Sequence, residues 1–250
     1  MSTSQDDSDQ NPSYLVQSEQ LNHLLAILPE ADYIRLAPHL REVNLSLGQI
    51  LYEPAEPINT VYFPNQSMIS LVQIMENGST IEAGIVGNDG MLGYPVYLGG
   101  QCDSSRAIVQ IAGSAIALAP AVLKAEFDRA GALQKLLLCY TQAFLAQVSQ
   151  TAACNRFHPI EERLARWLLQ SQDFARSSTL QMTQDFLSSM LGTRRASITV
   201  AAGALQEAGF IYYQRGYIHI LNREALESAA CECYNVVKAE YNRLLETQIN

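Results

Sequence analysis

Between Val43 and Ala119 the chain is a series of short apolar runs rich in Val, Ile, Tyr and Phe, each closed by turn residues. Gly48-Gln49, Pro57, Pro64-Asn65, Asn77-Gly78 and Asn88-Asp89-Gly90 mark the breaks. Regular short strands with turn signals predict a β-sandwich or roll. Asn77-Gly78 is the strongest hairpin signal among them. A further pair of strands is expected at Ala107 to Ile111 and Ala115 to Leu118, turning at Gly113. Ahead of this region, Ser18 to Leu28 and Ala31 to Leu40 read as two short helices separated by Pro29.

Beyond Pro120, a residue tolerated in the first turn of a helix, the periodicity becomes helical. Leu133, Leu137, Tyr140, Phe144, Val148 and Thr151 recur by three and four with few charges between them. Such a stripe fits either a helix packed on its own β-domain or a coiled-coil seam between two chains, and the near-heptad spacing favours a homodimer interface. Asn155-Arg156-Phe157-His158-Pro159 ends the stripe, because Pro159 cannot continue the helical ladder and restricts His158 to extended geometry. This is the expected hinge. Ile160 to Gln172 follows as a helix with Leu164, Trp167 and Leu168 inward.

Leu180 to Ile220 carries the densest set of signals. Thr183 suits a helix N-cap, with Asp185 in the first turn and Phe186, Leu187, Met190 and Leu191 at helical spacing. Gly192 offers a left-handed terminator, and Thr193 a cap for a second helix to Ala208 whose buried face would be Ile198, Ala201, Ala202 and Leu205. Gly209 is the stop signal. Two helices joined by a Gly-containing turn make a helix-turn-helix. Ile211-Tyr212-Tyr213 and Tyr217-Ile218-His219-Ile220 then form a hairpin, or wing, turning at Arg215-Gly216. Glu224 to Gln248 reads as one closing helix with Leu226, Ala230, Cys233, Val237, Tyr241 and Leu244 as its stripe.

Arg194, Arg195, Ser197 and Thr199 crowd the start of the second helix, where guanidinium groups can bond guanine edges and hydroxyls can hold phosphates. With Thr183, Gln184 and the wing residue Arg215 they form the expected contact set for double-stranded DNA. The net charge of −9 would oppose DNA binding if evenly spread. It is not: residues 155–224 hold eight Arg against six acids, a local +2, while the remainder carries −11. A basic reader on an acidic sensor is the simplest reading.

No apolar run approaches the ~20 residues a membrane span needs, so no membrane association is expected. The first residues, polar and acidic, show no secretory pattern and are expected to be disordered. The five cysteines are Cys102, Cys139, Cys154, Cys231 and Cys233, an odd number at spacings unlike those of zinc sites. They imply a reducing, cytoplasmic compartment, and the Cys231-x-Cys233 pair, in an expected helix where positions two apart face different ways, reads as core packing or inert exposure in preference to a redox or metal role. No metal site and no cofactor are expected. Val43 to Leu118 contains no His, which argues against a catalytic metal site in the roll and against an enzyme.

Taken in order, these elements resemble the Crp/Fnr family of bacterial transcription regulators over about residues 20 to 225. Gly48-Gln49-x-Leu51-Tyr52 and Val61-Tyr62-Phe63 resemble the opening of its β-roll, and Thr183-Gln184-Asp185 through Arg195 and Ile198 resemble its DNA-binding helices. Gly90-Met91-Leu92-Gly93 with Ser105-Arg106-Ala107-x-Val109 occupies the place of its phosphate-binding cassette, and so is the candidate ligand pocket. The resemblance implies an α+β fold: a cyclic-nucleotide-binding-like β-roll of jelly-roll type, a long dimerisation helix and a C-terminal winged helix-turn-helix. The corresponding divisions are 1–18 (tail), 19–130 (roll), 131–158 (dimer helix and hinge) and 159–250 (reader with its closing helix). The implied function is a homodimeric regulator that reads a two-fold symmetric site through residues 194–208. RNA polymerase is a partner the family would allow, and a small-molecule or protein effector stays undefined.

The sequence departs from the family pattern at both sites. Met91 stands where cyclic-nucleotide members have Glu, and Ser105 where they have Arg, with Arg106 one residue late. A one-residue slip in a strand turns a side chain to the other face. Cyclic AMP is therefore not the expected effector, although a cyclic-nucleotide regulator, or a ligand- or protein-binding roll with a vestigial reader, remain the alternatives. The iron–sulfur members' N-terminal cysteine cluster is missing, and His23, His39, His158 and His219 are scattered. In the reader, Arg195 matches the family's base-contacting Arg, but Ala196 replaces an acid and Val200 a polar contact. An operator unlike that of the cyclic-AMP members follows from those two replacements.

Overall fold

The computed structural model describes residues 22–245. The expected tail, the first four residues of the first expected helix and the last residues of the closing helix lie outside that range. Asn22 is buried and caps α1 (His23–Ala26), accepting from the Leu24 amide and donating to the carbonyls of Pro64 and Gly90. This one side chain ties the N-terminal helix to the roll. Then come α2 (Glu30–Leu36) and a single 3₁₀ turn, Ala37–His39.

Seven strands build the roll: β1 (Arg41–Leu45), β2 (Ile50–Tyr52), β3 (Val61–Pro64), β4 (Met68–Ile74), β5 (Thr80–Val86), β6 (Arg106–Ile111) and β7 (Gly113–Leu118). They form two antiparallel sheets, ordered β1-β7-β3 and β2-β6-β4-β5. Gly78 takes a left-handed φ of 81° in the β4–β5 hairpin, as the Asn-Gly pair predicts. A short helix, α3 (Pro95–Leu98), interrupts the connection from β5 to β6 and was not apparent from the pattern.

The four-stranded sheet is buried on both faces. Ile69, Leu71, Ala107 and Val109 point into the roll and share a core with Phe63, Leu118, Leu137 and Tyr140. Met68, Val72 and Ile85 point the other way, into a second core with Leu164, Trp167, Leu168 and Ile198. Thus β4 is buried without alternation from Met68 to Val72, because the C-terminal domain covers the face that would otherwise meet water.

After α4 (Pro120–Phe127), α5 (Ala132–Phe157) runs the length of the roll. The stripe expected to face a second chain does not do so. Leu133, Leu137, Tyr140, Phe144 and Thr151 are buried within their own chain, with Val148 half-buried beside them. The Tyr140 hydroxyl donates to the Met91 carbonyl at 2.9 Å, and the Phe144 ring lies against Gly84 so closely that a Cβ there would sit 2.7 Å away. Few charges interrupt this stripe because it meets apolar strands, not a partner helix. The opposite face of α5 is exposed at Lys135, Leu138, Gln142, Leu145, Ser149, Ala152 and Arg156, which also recur by three and four.

His158 is extended and Pro159 caps α6 (Ile160–Ala175). The reader continues with β8 (Thr179–Gln181), α7 (Gln184–Met190), α8 (Arg195–Glu207), β9 (Ile211–Gln214) and β10 (Tyr217–Ile220). β8 adds a third strand to the wing, in the order β8-β10-β9. The closing helix is in fact two, α9 (Arg223–Ala229) and α10 (Cys233–Leu245), broken at residues 230–232. Cys231 and Cys233 are therefore not two positions of one helix, and both are buried. α10 lies along α5, with Val237, Tyr241 and Leu244 in the roll's core and the Gln147 amide donating to the Tyr241 hydroxyl.

A buried polar group marks the contact between reader and roll. The Trp167 indole donates to Glu82 Oε1 at 2.9 Å, and Ser70 Oγ donates to Oε2 of the same carboxylate. Close approach is general here: a Cβ on Gly87 would overlap the Phe174 ring, and one on Gly192 would lie 2.6 Å from Ile81. Burial pushes the Glu82 carboxyl up to about 7, against the pull of its two hydrogen bonds and of Arg166. The folded protein thus binds a proton more tightly than the unfolded chain, so this group's effect on stability is most favourable below pH 4.5 and is lost as pH rises to about 7. The loss is on the order of 3 kcal/mol if the unfolded chain titrates normally. Thermal unfolding at about pH 5 and about pH 8 should show this fall, and Glu82→Gln should reduce it, leaving the share of Asp89, whose carboxyl burial also raises to about 7. An equally steep profile in Glu82→Gln would assign the titration to another group.

Candidate nucleic-acid interface

α7 begins where a hydroxyl can take up a free amide. Thr183 is the N-cap, and its Oγ1 accepts from the Phe186 amide at 3.2 Å. Gly192, with φ of 57°, closes the helix in the left-handed conformation that only glycine adopts cheaply. The second cap differs from expectation: Arg194, not Thr193, is the N-cap of α8, and no side chain bonds its free amides. The positive end of α8 is therefore open, with the guanidinium groups of Arg194 and Arg195 exposed around it. Ile198, Ala201, Ala202 and Leu205 hold the opposite face in the reader core.

Across the two helices the polar side chains are already linked. Gln184 Oε1 accepts from Thr199 Oγ1 at 2.9 Å and from Arg195 Nε at 3.5 Å. Arg195 Nη1 also lies 3.5 Å from an Asp185 carboxylate oxygen, with both groups largely exposed. An exposed pair of that kind contributes at most about 1 kcal/mol, so the guanidinium can leave it for a base edge at little cost. Ser197 is half-buried, while Ala196 and Val200 are exposed on the same helix.

The wing turns at Arg215 and Gly216 with φ of 51° and 81°, the two left-handed residues of a type I′ turn. Arg215 is exposed at the tip. The turn is fastened to the start of α7, where the Met182 amide donates to the Gly216 carbonyl at 2.7 Å and the Tyr213 hydroxyl donates to the Met182 carbonyl at 3.0 Å. Burial raises the Tyr213 phenol and the charge of Arg195 opposes it, which places the wing's base within electrostatic reach of α8. Thr183, Gln184, Arg194, Arg195, Thr199 and Arg215 thus surround one surface formed by two helix N-termini and a wing.

The cassette residues lie elsewhere and are tightly packed. Met91 and Leu92 are fully buried, and Leu92 exchanges backbone hydrogen bonds with Tyr62. A Cβ on Gly90 or on Gly93 would sit 2.7 Å from Tyr140 or from Val61. Ser105 is buried and bonded to Gln73. β6 pairs with β4 in unbroken register from Arg106 to Val109, so Arg106 shares a face with Ile108 and points away from the roll interior that Ala107 and Val109 enter. Its guanidinium pairs with Glu53 at 2.8 Å. A cavity of about 370 Å³ lies beside Arg35, His39 and Arg129, and another of about 180 Å³ between Asp89, Asp173, Phe174 and Tyr241. The cassette residues line neither.

A β-roll followed by a long helix and a winged helix-turn-helix with an exposed basic helix start is the fold of a DNA-binding transcription regulator. Residues 162–229 match the family described as the Crp-like helix-turn-helix domain. No curated protein matched the sequence. Similar solved structures include FixK2 from Bradyrhizobium japonicum (16% identity, TM-score 0.63, covering 77% of this chain and 98% of that one). A CRP-family transcriptional regulator from Thermus thermophilus aligns at 17% identity and TM-score 0.62 over 75% of this chain and 96% of its own. The c-di-GMP-responsive regulator CLP from Xanthomonas campestris aligns at 13% identity and TM-score 0.62, over 77% and 99%. The chain has the Crp/Fnr transcription-regulator fold, and its reader is a Crp-like helix-turn-helix domain. No helix among the described residues is long and apolar enough to cross a membrane.

Because the Thr183 hydroxyl is committed to the α7 cap, Thr183→Ala should lower the unfolding free energy by about 1 kcal/mol in denaturant titration, and Thr183→Ser should restore it. A stability equal to the parent's would show that the hydroxyl is free for DNA alone.

Proposed function

We propose that this protein is a sequence-specific transcription regulator that binds DNA as a homodimer, reading a two-fold symmetric site with the start of α8 in each major groove. The observation that carries this reading is the exposed Arg194-Arg195 pair at the uncapped start of α8, linked to Gln184 and Thr199 and flanked by the wing. Arg195 is the base-reading residue, and Arg194, Ser197, Thr183 and Arg215 hold phosphates. With Ala196 and Val200 exposed beside them, methyl contacts to thymine replace two polar contacts.

Cyclic AMP does not control it. The buried Met91 offers no carboxylate to a ribose, and Arg106 is held by Glu53 on the outer face of β6. The dimer forms through the exposed face of α5, where Leu138 (47% exposed), Leu145 (60% exposed) and Ala152 recur every seven residues. Leu145→Asp should shift the protein to a monomer in analytical ultracentrifugation and abolish tight DNA binding while leaving thermal unfolding of the chain in place. A dimer that survives this change would move the interface elsewhere.

Selection of bound genomic fragments by the purified protein, at near-physiological salt and with no effector, tests the reading as a whole. A two-fold symmetric motif is expected. Arg195→Ala should weaken binding by about 1–3 kcal/mol and relax preference at one base pair of each half-site. Binding with no sequence preference in the parent would sink the proposal, and an unchanged motif in Arg195→Ala would remove that residue from base reading.

A further inference from the structure

The most concentrated set of reactive side chains lies away from the DNA-facing surface, where the hinge meets the α9–α10 break. Cys154 lies in the last turn of α5, and His158 is the extended residue that caps it, its amide donating to the Cys154 carbonyl. Cys231 lies in the break between α9 and α10, and Cys233 is the first residue of α10. One ligand atom from each of the four lies within 4.8 Å of all the others. The Cys154 and Cys231 sulfurs are 3.6 Å apart, and Cys233 Sγ is 3.4 Å from His158 Nδ1. A tetrahedral ion with sulfur at about 2.3 Å and nitrogen at about 2.0 Å would require sulfur pairs about 3.8 Å apart and sulfur–nitrogen pairs about 3.5 Å apart. The three sulfurs are buried and His158 is mostly so.

The surroundings are those of a metal shell. His158 Nε2 lies 3.2 Å from a Glu232 carboxylate oxygen, which holds the ring proton on that nitrogen and turns the Nδ1 lone pair inward. The Gln150 amide donates to Cys233 Sγ at 3.0 Å, as it would to a thiolate. Arg163 and Arg166 supply a second and separate indication. Both are buried on α6, the Nε of each lacks a hydrogen-bond partner, and neither forms a salt bridge among the described residues. Arg166 is within electrostatic reach of Glu82, but Arg163 has no such carboxylate among the described residues, and a buried cation without one is costly unless other negative charge lies near. Three thiolates around a divalent ion leave one negative charge there, which these arginines offset.

We propose that Cys154, His158, Cys231 and Cys233 form a closed zinc site that clamps the end of α5, and with it the hinge into the reader, to the start of α10. Three sulfurs and one imidazole select a thiophilic ion, and full protein ligation with no open position makes the site structural. Binding displaces the thiol protons to solvent and changes no oxidation state. The clamp fixes the direction in which α6, and therefore α8, leaves the dimer helix. This inference does not depend on the DNA-binding reading.

The test is elemental analysis of the full-length protein, expressed with zinc and iron both supplied and purified under reducing conditions. About one zinc per chain is expected. Cys231→Ser should lose it, whereas His158→Cys should retain it. The parent stripped by a chelator should take up Co²⁺ with thiolate-to-cobalt charge-transfer absorption, and His158→Cys should shift the cobalt ligand-field bands. Chelation should lower the parent's melting temperature but leave that of Cys231→Ser unchanged, which separates metal loss from misfolding. A reduced parent that holds no metal and gives no cobalt absorption would overturn the proposal. Bound iron in place of zinc would overturn it too, as would a Cys154–Cys231 disulfide in a chain that binds no metal when reduced.

Discussion

The outer face of the four-stranded sheet is the surface on which the rest of this molecule depends. Trp167 enters it from the reader and donates to Glu82, a carboxylate that the roll alone would leave in water. Around that bond Met68, Val72 and Ile85 share one apolar core with the reader's helices. A polar pair inside an apolar contact adds little net stability, because desolvation offsets most of its attraction. Its value is positional: the Trp167 ring cannot slide without leaving a buried carboxylate with one partner fewer. The reader is thereby seated in one orientation on the roll, while α7, α8 and the wing keep their basic edge exposed.

α5 serves two neighbours at once. One face is the floor of the roll, through Leu137, Tyr140 and Phe144, and α10 covers an adjacent strip through Tyr241. The third face, with Leu138 and Leu145, is exposed and has no cover among the described residues. Tyr140 also touches the glycine turn at Gly90 and bonds Met91, so the segment corresponding to a phosphate-binding loop is packed against the long helix. A loop filled by its own side chains has little room for a nucleotide, which agrees with the absent acid at Met91 and the outward Arg106.

At its far end α5 meets α6 and the α9–α10 break, and this junction gathers three sulfurs, an imidazole and two buried guanidinium groups. The proposed clamp lies where α5 passes into α6, and the Trp167–Glu82 contact is made from within α6. Between them they define how a helix that carries the reader leaves a helix that carries the roll. Neither lies on the surface proposed to face DNA, so a change at either is expected to act on affinity and not on sequence preference.

Local pattern was enough for much of this protein. Strand punctuation, the Pro120 and Pro159 boundaries, the Gly192 terminator and the Arg215-Gly216 turn are properties of a few adjacent residues, and each has its expected form. The exposed arginines at the start of α8 were legible for the same reason, since a helix that buries Ile198, Ala201 and Leu205 must present its other face. Periodicity states that a face is buried but not by what. The apolar stripe of α5 therefore suggested a second chain, when the covering surface is the roll of its own chain, and the exposed heptad beside it was too mixed to stand out. The cysteines show the same limit more sharply. Cys154 and His158 sit at the end of one helix, and Cys231 and Cys233 at the start of another. Only folding brings the two pairs together, because their meeting depends on α10 lying back along α5, a contact between segments far apart in sequence that no local spacing records.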